Sequence, residues 1–113
     1  MDYQQQTALL KALAHPVRLQ ILDMLRQGEL CVCHIERAIN KRQAYISQQL
    51  MVLREAGLVS YRKDGLQVYY ALATPAIGDL LTLLCGPAAP HGHAVIDGCP
   101  CPTCETITLT SIR

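Results

Sequence analysis

A mainly α-helical domain carrying one β-hairpin is the fold class that three features of the sequence predict. Apolar residues recur at helical spacing in five stretches between Gln4 and Leu84. After Leu58 the period changes to strict alternation on either side of Asp64-Gly65. Pro16, Gly28, Gly57 and Pro75 fall at the junctions between these stretches, where helices start and stop. The chain of 113 residues is long enough for one modest core. Half of it is hydrophobic, with five tyrosines and no Trp or Phe, so that core is expected from Leu, Ile, Val, Ala and Met.

The first helix is expected over Gln4 to Leu13, with Ala8, Leu9, Ala12 and Leu13 on its apolar side. His15-Pro16 ends it, because proline disfavours helical geometry at the preceding residue and suits the first turn of a new helix. The second helix places Val17, Leu19, Ile21, Leu22 and Leu25 on a broad stripe and stops at Gly28. Arg18, on this helix, is read either as a phosphate contact or as a solvated or locally paired side chain. Glu29 to Val32 form a connection into a short third helix, Cys33 to Ile39. Asn40 and Lys41 then turn the chain into a fourth helix, Gln43 to Ala56, whose core side is Ile46, Leu50, Val52, Leu53 and Ala56. Arg42, Gln43, Tyr45, Ser47, Gln48 and Gln49 are expected on its outer side.

Leu58 to Lys63 and Leu66 to Leu72 are the two strands, with Asp64-Gly65 as a two-residue turn and Arg62 and Lys63 at its tip. Leu66, Val68, Tyr70 and Leu72 share one face of the return strand. Thr74 and Pro75 begin a fifth helix as N-cap and first residue. Its Ala76, Ile77, Leu80, Leu81, Leu83 and Leu84 are apolar over more than one face, so it needs two surfaces to bury against. A two-fold dimer through the first and fifth helices supplies both. The domain is expected to span residues 1–85. A Pro- and Cys-rich tail follows over 86–113, holding four of the six prolines and three cysteines between Gly86 and Cys104, with at most one short strand around Ile107 and Leu109.

Four helices followed by a hairpin and a fifth helix make a winged helix-turn-helix, which lays its second motif helix in the DNA major groove. The charge agrees: the formal net charge is only +1, yet Lys41, Arg42, Arg54, Arg62 and Lys63 face a single acid, Glu55, between positions 41 and 63. The candidate DNA-contacting residues are therefore Arg42, Gln43, Tyr45, Ser47, Gln48 and Gln49 on the fourth helix, with Arg62 and Lys63 on the wing. No apolar run is long enough to span a membrane, and the amino terminus has neither a basic nor an apolar leader region, so a cytoplasmic protein is expected. Six cysteines in a reducing compartment point to metal, metalloid or redox chemistry.

KALAHPVRLQILDMLRQGELCVCHIERAI, SQQLMVLREAGLV and the RKDG hairpin together resemble the ArsR/SmtB family of dimeric winged-helix repressors over roughly residues 7–85. The resemblance implies a homodimer that binds a palindromic operator in double-stranded DNA and is released by an inducer. In such proteins the two cysteines of an ELCVC segment, here Cys31 and Cys33, commonly bind As(III) or a soft metal. Arsenic-responsive members often add a third in the pattern CVCDLC, where this chain has Glu36; cadmium- and lead-type members add cysteines from an N-terminal arm, and none precedes Cys31 here.

As(III), Cd(II), Pb(II) and Zn(II) need three or four donors, so Cys31 and Cys33 require completion. Positions i and i+2 of a regular helix point about 200° apart, so these two thiols converge only if the helix has not begun at Cys31. Cys99, Cys101 and Cys104, in the sequence CPCPTC, are the candidate completing ligands or a cluster of their own. His91 and His93 are read as solvent-exposed. A second reading is a persulfide- or oxidant-sensing repressor using Cys85, although the partner thiol of that type aligns at Leu30. A thiol oxidoreductase or metal chaperone is disfavoured, because the cysteine cluster follows the fold without a strand-helix setting.

Overall fold

The computed structural model describes residues 2–87. Expectations for the tail, including Cys99, Cys101, Cys104, His91, His93 and the strand near Ile107, lie outside the described residues.

Five helices and a three-stranded antiparallel sheet follow in the order α1 (Tyr3–Leu13), α2 (Pro16–Leu25), β1 (Leu30–Cys31), α3 (Val32–Ile39), α4 (Gln43–Glu55), β2 (Val59–Asp64), β3 (Gln67–Leu72) and α5 (Pro75–Cys85). The first two starts have a local cause in a side-chain cap. Asp2 caps α1, its carboxylate accepting from the Gln4 N–H at 3.0 Å. His15 does the same for α2: its Nδ1 accepts from the Val17 N–H at 3.2 Å, while Pro16 occupies the first helical position. Thr74 stands at the N-cap of α5 with extended backbone, but its hydroxyl makes no capping bond. Asn40 closes α3 in the left-handed conformation, φ +61°, and so forms the turn between the two motif helices.

The core gathers one residue set from every layer. Ile21 and Leu22 of α2, Ile35 of α3, Ile46, Leu50 and Leu53 of α4 and Leu81 of α5 are all fully buried, with Leu30 and Leu58 between them. Each such side chain is worth about 1.5–3 kcal/mol by transfer from water. By contrast, α1 buries only Ala12 and Leu13, and it leaves Leu10 61% exposed. On α5, Leu83 and Leu84 are 85% and 62% exposed. Among the described residues no helix is long and apolar enough to cross a membrane.

Three expectations are corrected. Glu29 to Val32 are not a plain connection: Leu30 and Cys31 form a short edge strand paired with Tyr70 and Tyr69 of β3, and α3 starts one residue early, at Val32. The hairpin register pairs Asp64 with Gln67, so the two loop residues are Gly65 and Leu66 rather than Asp64 and Gly65. Only Gly65 has positive φ (+61°), the pattern of a type II′ turn, which places glycine first. Leu66 is consequently at the tip and fully exposed, not on the inner face, while Arg62 and Lys63 lie back along β2.

A candidate nucleic-acid interface beside a dithiol

The outer face of α4 is built by its own periodicity. Gln43, Ala44, Ser47, Gln48 and Met51 are exposed in succession, preceded by exposed Lys41 and Arg42. Amide, hydroxyl and guanidinium groups thus stand on the amino-terminal half of the second motif helix, with the β2–β3 hairpin alongside. Tyr45 is half-buried at the edge of this face.

Gln49 does not belong to it. Its side chain is 8% exposed and turned inward, where Oε1 accepts from the Arg18 Nη1–H at 3.0 Å. Arg18 is locally paired: Nε donates to the Ala12 carbonyl at 2.6 Å and Nη2 to the Lys11 carbonyl at 3.2 Å. One guanidinium therefore fastens the carboxyl end of α1 to the middle of α4. A glutamine one helical turn from Tyr45 reads as outward on polarity alone; only the α1–α2 corner, folded over α4, turns it into a core group.

Arg62 is also engaged. Its Nε and Nη2 donate to the two carboxylate oxygens of Glu29 at 2.7 and 2.6 Å, and its guanidinium stacks 4.6 Å from the Tyr69 ring centroid. The hydrogen bonds to Glu29 raise the guanidinium above its ordinary value, so it is charged at every working pH. Lys63 remains exposed on the same strand. Arg54 lies over the Tyr61 ring at 4.9 Å, against the base of the wing. Glu29 was not singled out from the sequence, since its partner is 33 residues away and only the β1–β3 pairing brings them together.

Cys31 and Cys33 meet two residues beyond Glu29. Cys31 is the N-cap of α3, with extended backbone (φ −77°, ψ 156°), and is fully buried. Because the helix begins only after it, the two Sγ atoms converge to 2.7 Å. The Cys31 sulfur accepts the His34 backbone N–H at 3.3 Å, using one of the donors a helix start leaves over. Cys33 is half-buried and opens on a groove of about 320 Å³. Gln43 and Ser47 of α4 line it on one side, and Leu66, Gln67 and Val68 of the wing line the other.

Two soft thiolates fit one edge of a thiophilic ion. Among the described residues no third His, Cys, Asp or Glu joins them in a metal-binding group. Cys85 is exposed at the last residue of α5, and Leu30, beside Cys31, is a fully buried leucine.

Comparison with known proteins gives a consistent picture. A family model described as "Bacterial regulatory protein, arsR family" matches residues 15–61, from the His15 cap to the base of the wing. The chain is 46% identical over 76 residues to the biofilm growth-associated repressor of Agrobacterium fabrum, covering 67% of this chain and 65% of that protein. To the counterpart in Xylella fastidiosa it is 42% identical over 81 residues, covering 68% and 71%. To the transcriptional repressor SmtB homolog of Synechocystis it is 43% identical over 70 residues, covering 62% of this chain and 53% of that one. The chain thus spans 65% of the length of the Agrobacterium protein and 53% of the Synechocystis one. Among solved structures, the homodimeric winged helix-turn-helix DNA-binding domain of Mb0332 from Mycobacterium bovis superposes with a TM-score of 0.69 at 38% identity, over 73% of this chain and 76% of that one.

Proposed function

Because the chain belongs to the ArsR family of bacterial regulatory proteins, we propose that it is a cytoplasmic, homodimeric transcriptional repressor released from its operator by a thiophilic metal or metalloid. As(III) is favoured as the inducer, with Cd(II), Pb(II) and Zn(II) next. The observation that carries the reading is the convergence of Cys31, on a strand paired with the wing, and Cys33, in the first turn of α3, at the start of the helix-turn-helix.

In this reading α4 enters the major groove with Arg42, Gln43, Tyr45, Ser47 and Gln48, and Lys63 approaches the phosphates from the wing. Gln49 has no part in it. Leu10 on α1 and Leu83 and Leu84 on α5 supply the apolar surface that a two-fold partner covers, placing two α4 helices at successive turns of the duplex. The domain is residues 1–85, and the tail, 86–113, brings Cys99, Cys101 and Cys104 as completing donors. Cys31 and Cys33 would hold the ion, whose affinity for soft sulfur donors would set their spacing; Cys31 pairs with Tyr69 of β3 and caps α3, so a change at its position would reach both. A coupling of about 1–3 kcal/mol between the two sites lowers operator affinity by about 5- to 150-fold.

The test is fluorescence anisotropy of the reduced protein on the DNA upstream of its own gene, titrated with As(III), Cd(II) and Zn(II). Release is expected with wild type, lost in Cys31→Ser and Cys33→Ser, and weakened in Cys99→Ser, Cys101→Ser and Cys104→Ser. An operator complex that no thiophilic ion dissociates overturns the proposal.

A further inference from the structure

We propose that Cys31 and Cys33 are also a dithiol modification site, oxidised to an internal disulfide by low-molecular-weight disulfides that enter through the cleft between α4 and the wing. The two Sγ atoms are 2.7 Å apart, so a bond of about 2.05 Å forms with a shift of well under an ångström. The pair is also asymmetric. Cys31 is fully buried and Cys33 is half-buried, facing a groove of about 320 Å³. Only Cys33 therefore meets a reagent from solvent, and Cys31 is placed to resolve the product.

The chemistry balances. The Cys33 thiolate attacks one sulfur of a disulfide RSSR, forming the Cys33–SR bond and expelling RS⁻. Cys31 then attacks Cys33 Sγ, the Sγ–Sγ bond forms, and the second RS⁻ leaves, taking up the Cys31 proton as RSH. Two electrons pass from the cysteine pair to RSSR, which departs as two thiols. The groove has polar walls for the first arm of the reagent: Gln43 and Ser47 on α4, Glu36 on α3 and Gln67 on the wing. The same walls include the side chains assigned to DNA contact. Bound operator covers the mouth of the groove, so DNA and the oxidant compete for one face; this last step rests on the proposed reading of α4 and the wing, whereas the disulfide chemistry does not.

The sequence makes the site easy to read. Trypsin cuts after Arg26 and Arg37, so Cys31 and Cys33 fall alone in the peptide Gln27 to Arg37, and all other cysteines fall in Asp64 to Arg113. Reduced full-length protein is treated with glutathione disulfide, without metal or DNA, and mapped by mass spectrometry. The expected result is the Gln27 to Arg37 peptide lighter by two hydrogens. Cys31→Ser is expected to accumulate a stable glutathione adduct on Cys33, and Cys33→Ser to leave Cys31 unreacted. Saturating operator DNA is expected to slow the wild-type reaction in proportion to its occupancy. A disulfide joining the two tryptic peptides, or an adduct that forms on Cys31 in preference to Cys33, overturns the proposal. If the internal disulfide forms but operator fails to slow it, the shared face is overturned and with it the DNA-facing assignment of the cleft. Failure of As(III) to release operator leaves this mapping unaffected, so the two readings fail separately.

Discussion

Replacing Gln49 by alanine separates a structural strut from a base-reading side chain. Gln49 Oε1 accepts one charge-assisted hydrogen bond, 3.0 Å long, from Arg18, and the glutamine is 8% exposed. Hydrogen bonds to charged groups contribute roughly 1.5–3 kcal/mol. Arg18 keeps its bonds to the Ala12 and Lys11 carbonyls when Gln49 is lost, so its charge is not stranded. The cost therefore sits at the low end, about 1.5 kcal/mol, which at an m-value of about 1.5 kcal/mol/M lowers the urea midpoint by about 1 M. Arg18→Ala is expected to cost more, since three hydrogen bonds go with it. The assay is a double-mutant cycle in urea at one fixed protein concentration, because a dimer's stability depends on concentration. A coupling near 1 kcal/mol between Arg18 and Gln49 is expected, well outside the roughly 0.5 kcal/mol within which independent sites add. If Gln49→Ala is as stable as wild type and instead loses operator affinity, the side chain reads DNA and the strut is wrong.

Three further outcomes follow from the same geometry. Glu29→Gln removes the charge that holds Arg62 by two hydrogen bonds and leaves only Asp64, 3.7 Å away, so operator affinity at low salt is expected to rise and the log–log salt dependence to steepen by about one per subunit; an unchanged slope means that Arg62 does not reach DNA. Leu10→Glu with Leu84→Glu places charge on the exposed apolar faces of α1 and α5, and sedimentation is expected to show a folded monomer without operator binding; a persistent dimer removes those faces from the interface. Gly65→Ala has open space around the new Cβ, so its cost is the backbone conformation alone, about 1–2 kcal/mol at φ +61°. Gly65→Asn, which tolerates that conformation, is expected to recover much of it in the same urea measurement.

The fold was legible because its signals are local. Apolar spacing sets α1 to α5, Pro16 and Pro75 set two starts, and Gly57 sets one end. What escaped depends on long-range contact. A two-residue strand at Leu30–Cys31 carries no periodicity, and it exists because Tyr69 and Tyr70 lie opposite it. The hairpin slipped by one residue because Asp-Gly also fits a turn in which glycine comes first, and the cross-strand pairing of Asp64 with Gln67 decides between them. At the site, the convergence of Cys31 with Cys33 followed from the requirement that the helix start after Cys31, which a cap position meets. The burial of Gln49 and the capture of Arg62 by Glu29 did not follow from anything local, because each pairs residues more than thirty positions apart.

In the proposed reading, those long-range pairs are what let a small change at sulfur act on DNA. Between Glu29 and Cys33 the backbone carries, in succession, the carboxylate that holds Arg62, the strand that pairs with β3, the first sulfur and cap of α3, and the second sulfur. No flexible linker separates these functions. In that reading, a ligand or a bond that resets the sulfur spacing acts on Cys31, which pairs with Tyr69 beside the Leu30–Tyr70 pair and caps the start of α3. Each hydrogen bond weakened there is worth about 0.5–1.5 kcal/mol. One or two of them already match the 1–3 kcal/mol scale of ordinary allosteric coupling. In the proposed reading a large rearrangement is therefore unnecessary: a two-residue strand that pairs with β3 of the wing and runs straight into α3 needs only a small displacement to act on both.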